Sequence, residues 1–381
     1  MKLIHDLRKI KKGLSYRKPL IKIMVSKKNI LDNFEEYKRH VPSGMKISPV
    51  LKSNAYGHGI KEVASMFKNK DNPFLVIESL FEAETLRSYG ISDKILLIGY
   101  FRPKMINHKI KNTSYLVTSL EQLYQIQKII KQKALIHLKI DTGMRRQGIS
   151  IKDVSKAIKI IKSSKKIILE GVCSHLSDAD NKDESFTLKQ IKAWNPLVDK
   201  FKKEFNNKIK YFHLSASSGI GYLKNISSNL LRLGIGLYGF NQSQRLNLNL
   251  KPALRAETII TTIRSLLPSD SIGYSATFKP QKPLKVATMP FGYYEGLDRR
   301  LSNKGLVKCK NEFCRVLGRV SMNITSFDVT KIKNTKIGEK VVAISDNPED
   351  KNSVLNISKI CETIPYVILV NIPAHLRRIV Y

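Results

Sequence analysis

The strongest constraint on the fold is a repeated alternation of short apolar segments with stretches of helical periodicity. Eight apolar segments occupy residues 47–52, 74–79, 94–99, 115–118, 135–140, 167–176, 211–215 and 230–238. Each has the length of a strand and is bounded by polar or turn-forming residues. Strand candidates that alternate with helix candidates are typical of the α/β class, in which the strands form a parallel sheet.

The stretches between these segments have the spacing of amphipathic helices. One such face is formed by Ile60, Val63, Ala64 and Phe67. The pattern nearly recurs at Leu120, Leu123, Tyr124 and Gln127, and a longer helix is predicted over residues 185–205. We therefore predict a (β/α)8 TIM-type barrel over residues 19–245. A doubly wound sheet is the alternative, because a count of strands does not distinguish the two.

The periodicity of the sequence changes after residue 245. Helical periodicity fades, and β-rich segments separated by Gly, Pro, Asn and Asp follow one another at 284–293, 314–329, 340–345 and 365–372. This pattern predicts a mostly β C-terminal domain over residues 246–381. Residues 1–18 are basic and lack a clear period, so we predict a basic N-terminal tail there.

The charge of the chain suggests a different class of function. Lysine and arginine total 67 against 31 acidic residues, a net charge of +36, which first suggests nucleic-acid binding. The excess is spread over both halves, however, and only 17 of the 67 basic residues are arginine. A dedicated nucleic-acid surface more often clusters arginine with aromatic residues. We therefore predict no specific nucleic-acid partner and keep a basic nucleic-acid-binding protein as an alternative.

Other classes receive little support from the sequence. The four cysteines form no C-x-x-C pair, so we predict neither a metal site nor a disulfide framework. No apolar run reaches the length of a membrane span. The start of the chain, MKLIHDLRKIKKG, is too charged for a signal peptide. These features predict a cytoplasmic protein without a membrane partner.

Lys52 is the first candidate catalytic residue. It ends an apolar strand candidate and is followed by S-N-A-Y-G-H-G, a glycine-containing turn that leads into a helix. In a barrel this position lies on the active-site face. Desolvation there lowers the pKa of an amine and frees it for Schiff-base chemistry. In a chain so rich in lysine, position alone would favour an ordinary surface lysine.

The residues around Lys52 are more specific. The segment PVLKSNAYGHG (49–59) closely resembles the cofactor-binding motif of the alanine racemase family, V-V-K-A-N-A-Y-G-H-G. The resemblance recurs in order from about residue 20 to Tyr381. It implies that Lys52 carries pyridoxal 5'-phosphate, with Tyr56 beside the cofactor. It also implies a barrel followed by a β domain, as the periodicity independently predicts.

Two further barrel segments extend the resemblance. LKIDTGMRRQG (138–148) resembles the family segment K-x-D-T-G-M-x-R, which implies that Lys139 is the lysine often carbamylated. Arg146 would then lie near the pyridoxal hydroxyl and the substrate. CSHLSDAD (173–180) resembles T-H-F-x-x-A-D, which implies that His175 lies beside the cofactor.

The resemblance also implies a phosphate site. FHLSASSG (212–219) is similar to H-x-A-N-S, so Ser217 would bind phosphate, while Ala216 stands where the family usually has Asn. LRLGIGLYG (231–239) resembles R-P-G-x-x-x-Y-G, with Leu233 in place of the proline. Arg232 would then face the pyridine nitrogen, and the backbone N–H groups of Gly234 and Ile235 would cradle phosphate.

In the C-terminal domain, SIGYSATF supplies Tyr274, which the resemblance makes the second catalytic base. FGYYEGLDR and GRVSMN resemble G-Y-A-D-G-x-x-R and G-R-V-C-M-D, which implies that Tyr293 and Met322 bind the substrate. Glu295 and Asn323 stand where these motifs have aspartates. PYVIL supplies Tyr366, which matches a tyrosine in contact with phosphate.

Together these matches imply a racemase that interconverts L-alanine and D-alanine with two bases, Lys52 and Tyr274. The family resemblance further implies a homodimer with shared active sites and a role in supplying D-alanine for peptidoglycan. Three alternatives remain besides nucleic-acid binding. They are a broad-specificity amino-acid racemase, a basic-amino-acid decarboxylase of related fold, and a cofactor-binding protein without catalysis.

Overall fold

The computed structural model describes residues 19–68, 70–108 and 110–381, which form two compact units. One unit comprises residues 26–253, and the other combines residues 254–381 with the strand that ends at Val25. The predicted basic tail, residues 1–18, lies outside the described residues. Within the described ranges, no helix is long and apolar enough to cross a membrane.

The first unit is built on a closed ring of parallel strands. The first ten strands of the chain are β1 (Lys22–Val25), β2 (Lys46–Pro49), β3 (Leu75–Ile77), β4 (Ile95–Leu97), β5 (Thr113–Val117), β6 (Ala134–Asp141), β7 (Ile149–Ser150), β8 (Ile167–Cys173), β9 (Tyr211–His213) and β10 (Leu230–Leu233). Pairing runs from β3 through β4, β5, β6 and β8 to β9, and β10 pairs with β2. Bridges between Val50 and Val76 and between Ala216 and Arg232 close the ring. The predicted eight-stranded barrel is therefore confirmed, and the doubly wound alternative is wrong.

Helices follow the barrel strands and cover their outer side. The helices of this unit are Lys27–His40, Ile60–Met66, Leu80–Ser88, Leu120–Ile129, Val154–Lys162 and Ser185–Glu204, while Lys52–Tyr56 forms a short turn with positive φ at residues 53–56. The 3-10 segments are Pro103–Asn107, Ile151–Asp153, Ser217–Asn225 and Ile235–Tyr238. Three helices begin after a serine, Ser26, Ser79 or Ser119, whose hydroxyl accepts a backbone N–H of the first turn. Such capping fixes where each helix begins and so where the preceding loop can lie.

The predicted apolar face of the helix that starts at Ile60 is confirmed, since its four residues are buried. The prediction for the next face is partly wrong. Tyr124 is 43% exposed, whereas Ile126 is fully buried. The helix begins at Leu120, and its register turns Leu123 and Ile126 inward at the i, i+3 spacing.

The second unit is mostly β, as predicted. Its remaining strands are β11 (Leu254–Ile259), β12 (Thr262–Leu266), β13 (Leu284–Met289), β14 (Leu306–Cys309), β15 (Glu312–Leu317), β16 (Thr325–Asp328), β17 (Lys340–Ile344) and β18 (Arg378–Val380). With β1 they form one nine-stranded sheet in the order β12-β13-β16-β15-β14-β17-β11-β1-β18. Two helices, Val354–Ile360 and Pro365–Val370, and the 3-10 turns Tyr274–Ala276, Tyr293–Glu295 and Arg299–Leu301 complete it.

The strand prediction for residues 365–372 is wrong, because this segment forms the helix Pro365–Val370. Its buried residues are Pro365, Ile368 and Leu369, which have the i, i+3, i+4 spacing of a helix face. Pro365 occupies the first helical position, where its fixed φ is favourable and its missing N–H is not needed. Tyr366 therefore projects from a helix rather than from a strand.

Candidate active site

Lys52 lies at the carboxyl end of the barrel, but the strand predicted to end at Lys52 stops three residues earlier. Strand β2 stops at Pro49, and Lys52 opens the short turn Lys52–Tyr56. Its ammonium lies 3.3 Å from Glu78 Oε2, and about a third of its side chain (37%) is exposed. Glu78 follows β3, so two neighbouring strand ends meet here, as the barrel geometry predicts.

The turn after Lys52 has an unusual backbone. Ser53, Asn54, Ala55 and Tyr56 all have positive φ, between 51° and 55°. Four consecutive L-residues in the left-handed region cost roughly 1–2 kcal/mol each. Asn54 offsets part of this cost, since its Oδ1 accepts the N–H of Ile60 at 2.9 Å. Strain of this kind persists where the surrounding structure enforces it, and it is concentrated at functional sites.

Arg232, on β10, is held by acceptors on neighbouring strand ends. Its guanidinium donates to the carbonyl oxygens of Ser174, His213 and Leu214 at 2.9–3.0 Å. It also contacts two imidazoles, His213 Nδ1 at 2.6 Å and His175 Nδ1 at 3.1 Å. Among the described residues, no carboxylate lies within ion-pair distance of Arg232. Its positive charge is therefore oriented without being neutralised.

Other cations lie close to Arg232. Burial, and after it the positive charges of Arg232, Lys139, Arg146 and Lys52, hold the pKa of His175 well below its usual value. Burial likewise lowers the pKa of Lys139, and Arg232 and Arg146 add to the effect. Four cations that act on one imidazole create a positive field at this end of the barrel. Such a field favours an anionic ligand.

A group of polar atoms around Ser217 and Gly234, here called the Ser217–Gly234 cradle, lies beside this positive field. Ser217 Oγ accepts the N–H groups of Gly234 and Gly236 at 3.0 and 3.2 Å. A Cβ on Gly234 would lie only 2.8 Å from the hydroxyl of Tyr56, so glycine keeps this space open. The ring of Tyr56 packs on Tyr238 at 4.9 Å, and Ile235 begins the following turn. The structure thus brings together three residues predicted to bind phosphate, Ser217, Gly234 and Ile235, with Tyr56, which was predicted to lie beside the cofactor.

The predicted site residues of the second unit are exposed on its surface. Tyr274 is 69% exposed, Met322 54% and Tyr293 43%. The segments that carry the last two are joined, because the N–H of Tyr293 donates to Ser321 O at 3.0 Å. Tyr366 lies on the helix Pro365–Val370. The roles of these four residues remain predictions.

Comparison with known proteins agrees with this geometry. The alanine racemase N-terminal domain family matches residues 25–242, and the C-terminal domain family matches residues 253–380. The chain belongs to the alanine racemase family. The predicted family and fold are thereby confirmed. Members of this family are isomerases and generally depend on pyridoxal phosphate.

Individual relatives cover nearly the whole chain. It is 32% identical to alanine racemase 2 of Caldanaerobacter subterraneus over 365 residues, 94% of each chain. It is also 32% identical to the alanine racemase of Lactobacillus acidophilus, over 92% of this chain and 94% of the relative. The solved alanine racemase of Clostridium difficile superposes with a TM-score of 0.88 at 29% identity, covering 96% of each chain. That of Bacillus anthracis with bound L-Ala-P also gives 0.88, at 27% identity and the same coverage.

Two residues that differ from the motifs quoted above, Glu295 and Asn323, contact each other. Glu295 is buried, and its carboxylate accepts the N–H of Gly292 at 2.8 Å and the amide of Asn323 at 2.6 Å. A carboxylate at both positions would place two negative charges together. The change from Asp to Asn at 323 replaces one of them with a donor, and the longer side chain of Glu295 reaches it. This pair joins the segments that carry Tyr293 and Met322.

Sequence reasoning missed several residues of the alanine racemase barrel. Glu78 pairs with Lys52, and His213, His137 and Glu170 lie behind Arg232. His137 lies two residues before Lys139 on β6, and the period-2 rule puts both side chains on the same face of the strand. That spacing is the signal that could have drawn attention to His137. For Glu78 and Glu170 the sequence carries no comparable signal.

Proposed function

We propose that this chain interconverts L-alanine and D-alanine, with pyridoxal phosphate bound to Lys52. The observation that carries the proposal is the convergence of Lys52, Arg232 and the Ser217–Gly234 cradle at one end of the barrel. The test is a chiral assay on L-alanine with the cofactor-loaded protein. D-alanine should accumulate until the two enantiomers are equal, and its absence in loaded protein would contradict the proposal.

The donor set fits the cofactor. A phosphate needs converging donors. The oxygen of Ser217 accepts the N–H groups of Gly234 and Gly236, which leaves the proton of its hydroxyl to donate, and the Tyr56 hydroxyl lies beside Gly234. A pyridine nitrogen is an acceptor, and the Arg232 guanidinium can only donate. Because arginine does not give up its proton, that nitrogen would stay unprotonated. This weakens the electron sink and so limits side reactions such as transamination.

The protein must supply a base on each face of the substrate. In this family the chemistry that the cofactor supplies is electron withdrawal from the α-carbon, which makes its proton acidic enough for a protein base. The amine of Lys52 would exchange the proton on one face and the phenol of Tyr274 on the other. The positive charge of Arg232, relayed through the neutral imidazole of His175, would stabilise the phenolate.

We also propose that each site is shared between two subunits. Tyr274, Tyr293 and Met322 are large side chains with 43–69% exposure, all in the C-terminal unit. Exposed large side chains are typical of an interface when they form a patch, and the segments of Tyr293 and Met322 are joined. In a two-fold dimer the same patch serves both subunits, so each Tyr274 would complete the site around the Lys52 of the other chain.

The phosphate cradle gives a first quantitative prediction. Ser217→Ala removes the oxygen that organises the Gly234 and Gly236 N–H groups. We expect cofactor affinity to fall about tenfold, the size of one hydrogen bond to a charged group. Titration of the apoprotein with pyridoxal phosphate, followed by absorbance, measures this. Ser218→Ala changes the adjacent serine and should leave the affinity unchanged. Equal affinities for the two variants would contradict the role of Ser217.

Carbamylation of Lys139 is a second prediction. Only the uncharged amine reacts with CO2, and burial together with Arg232 and Arg146 lowers the pKa of Lys139 toward that form. The carbamate is an anion that a guanidinium can hold through two hydrogen bonds, and we assign this role to Arg146. Protein equilibrated with 13C-bicarbonate should give one carbamate signal by NMR. The signal should vanish in Lys139→Gln and persist in Lys133→Gln, an exposed lysine nearby. A signal that survives Lys139→Gln would exclude this site.

A broad-specificity amino-acid racemase is the second candidate function. The carboxylate of Glu78, 3.3 Å from Lys52 and 46% exposed, favours it, because an acidic group near the reacting lysine could accept a polar or cationic side chain. Chiral assays with alanine, serine, lysine and arginine would separate the two candidates. A kcat/KM for alanine far above the values for serine, lysine and arginine would support a racemase specific for alanine.

A further inference from the structure

Behind Arg232, on the side away from the barrel end, lies a line of three buried polar groups. His213 Nδ1 is 2.6 Å from Arg232 Nη1, and His213 Nε2 is 2.8 Å from His137 Nδ1. His137 Nε2 faces Glu170 Oε2 at 3.5 Å. The two histidines are fully buried, and Glu170 is 3% exposed. These contacts define an Arg232–His213–His137–Glu170 relay that crosses the barrel interior.

The chemistry of the donors permits only one arrangement of protons in this relay. Arg232 only donates, so His213 Nδ1 must accept and the proton of the neutral ring must lie on Nε2. That N–H donates to His137 Nδ1, which places the proton of His137 on Nε2, toward the carboxylate. The opposite tautomer of His137 would set two N–H groups against each other and turn a lone pair toward Glu170.

Both histidines stay neutral, as this arrangement requires. Burial, and after it the charge of Arg232, holds the pKa of His213 well below its usual value. Burial also lowers the pKa of His137, although the nearby carboxylate of Glu170 acts in the opposite direction. Burial alone would raise the pKa of Glu170, but the contact with His137 and the hydrogen bonds from Lys94 and Ser114 lower it to about 2. The far end of the relay is therefore a fixed negative charge.

The backbone is shaped to hold these groups. The pairing of β6 with β8 shifts register between Ile136 and His137, and the shift leaves Glu170 as the extra residue on β8. Such a bulge redirects a side chain. The next residue, Gly171, lies opposite His137, and a Cβ there would be 2.4 Å from His137 Nδ1. The backbone of β8 thus leaves space for the imidazole of His137 and sets the direction of the Glu170 carboxylate.

We propose that Glu170, His137 and His213 are positioning residues that orient the Arg232 guanidinium toward the cofactor ring nitrogen without neutralising its charge. This inference rests on the proposed function, because it assigns Arg232 to that nitrogen. A carboxylate in direct contact with Arg232 would cancel its charge and compete for its donors. The two neutral imidazoles connect Glu170 to Arg232 and so fix the orientation of the guanidinium. They also keep the carboxylate out of direct contact with Arg232.

The test has two readouts, and the first does not require cofactor. In apoprotein labelled with 15N-histidine, ring-nitrogen correlations should show the proton of both His213 and His137 on Nε2. A proton on Nδ1 of either ring in the unchanged protein would overturn the relay. This measurement remains informative if a variant fails to fold, and also if the protein does not bind pyridoxal phosphate.

The second readout compares two changes at the same carboxylate. Glu170→Gln removes the fixed charge, so pyridoxal phosphate should bind about tenfold more weakly, with an altered absorbance spectrum, while the proton order imposed by Arg232 stays the same. Ser114→Ala removes another donor to Glu170 Oε2, at 2.5 Å, but leaves the proton order intact. It should retain the unchanged protein's tautomers, affinity and spectrum. Unchanged affinity and spectrum in Glu170→Gln would overturn the positioning role.

Discussion

Mixing Lys52→Ala subunits with Tyr274→Phe subunits should restore activity that neither variant has alone. Each homodimer lacks one of the two bases in both of its sites, and loss of a positioned base costs about 10²–10⁴-fold in rate. In a mixed dimer one shared site carries both lesions and the other carries none. An equal, fully exchanged mixture should therefore reach about a quarter of the unaltered activity, since about half of the dimers are mixed and each has one intact site.

The control for this experiment is a mixture of Lys52→Ala with the double variant Lys52→Ala/Tyr274→Phe. No pairing of these chains can produce an intact site, so this mixture should stay inactive. Subunit exchange is verified separately with affinity-tagged chains. Proven exchange without recovery of activity would show that Lys52 and Tyr274 do not meet across a subunit interface.

Borohydride treatment of the cofactor-loaded protein should leave a pyridoxyl group on Lys52. The expectation follows from its place at the barrel end, beside the cationic field and the Ser217 cradle. Peptide mapping by mass spectrometry identifies the modified residue. Lys52→Ala should lose the covalent label altogether and about 10³-fold or more in racemisation.

Lys46 provides the matched control for Lys52. It lies on the same strand, β2, and its ammonium pairs with Asp71 at 2.8 Å on the surface. Lys46→Ala should keep both the label at position 52 and the activity. A pyridoxyl group found on another lysine of the unchanged protein would refute the assignment of Lys52.

The barrel was predictable because its strands are buried on both faces, which produces continuous apolar runs that are easy to recognise. The same property explains the error at residues 365–372. A short apolar run does not distinguish a buried strand from a buried helix, and Pro365 at its start was the only local sign of a helix. Tyr124 was misplaced because a shift of one or two residues in helical register moves a side chain from the core to the surface.

For the candidate site, the sequence pointed to residues that the structure brings to one end of the barrel where neighbouring residues form a contiguous motif, as around Lys52 and Gly234, and their roles remain predictions. Prediction failed for groups that meet only in three dimensions. His137, Glu170 and His213 come from three different strands, and the inward turn of Glu170 depends on a register shift between β6 and β8. No single segment of sequence encodes that shift.

The left-handed turn at residues 53–56 has a consequence for local unfolding of the apoprotein. Local opening of a segment that stores several kcal/mol of conformational strain costs less free energy than local opening of its neighbours, because opening relieves the strain. Amide hydrogens there should exchange with solvent through small local excursions, while the surrounding strands exchange only through larger unfolding events. A ligand that binds only the closed turn would suppress those excursions in proportion to its concentration. Ser53–Tyr56 would then be the segment beside Lys52 that ligand binding protects from exchange, while the barrel itself stays folded.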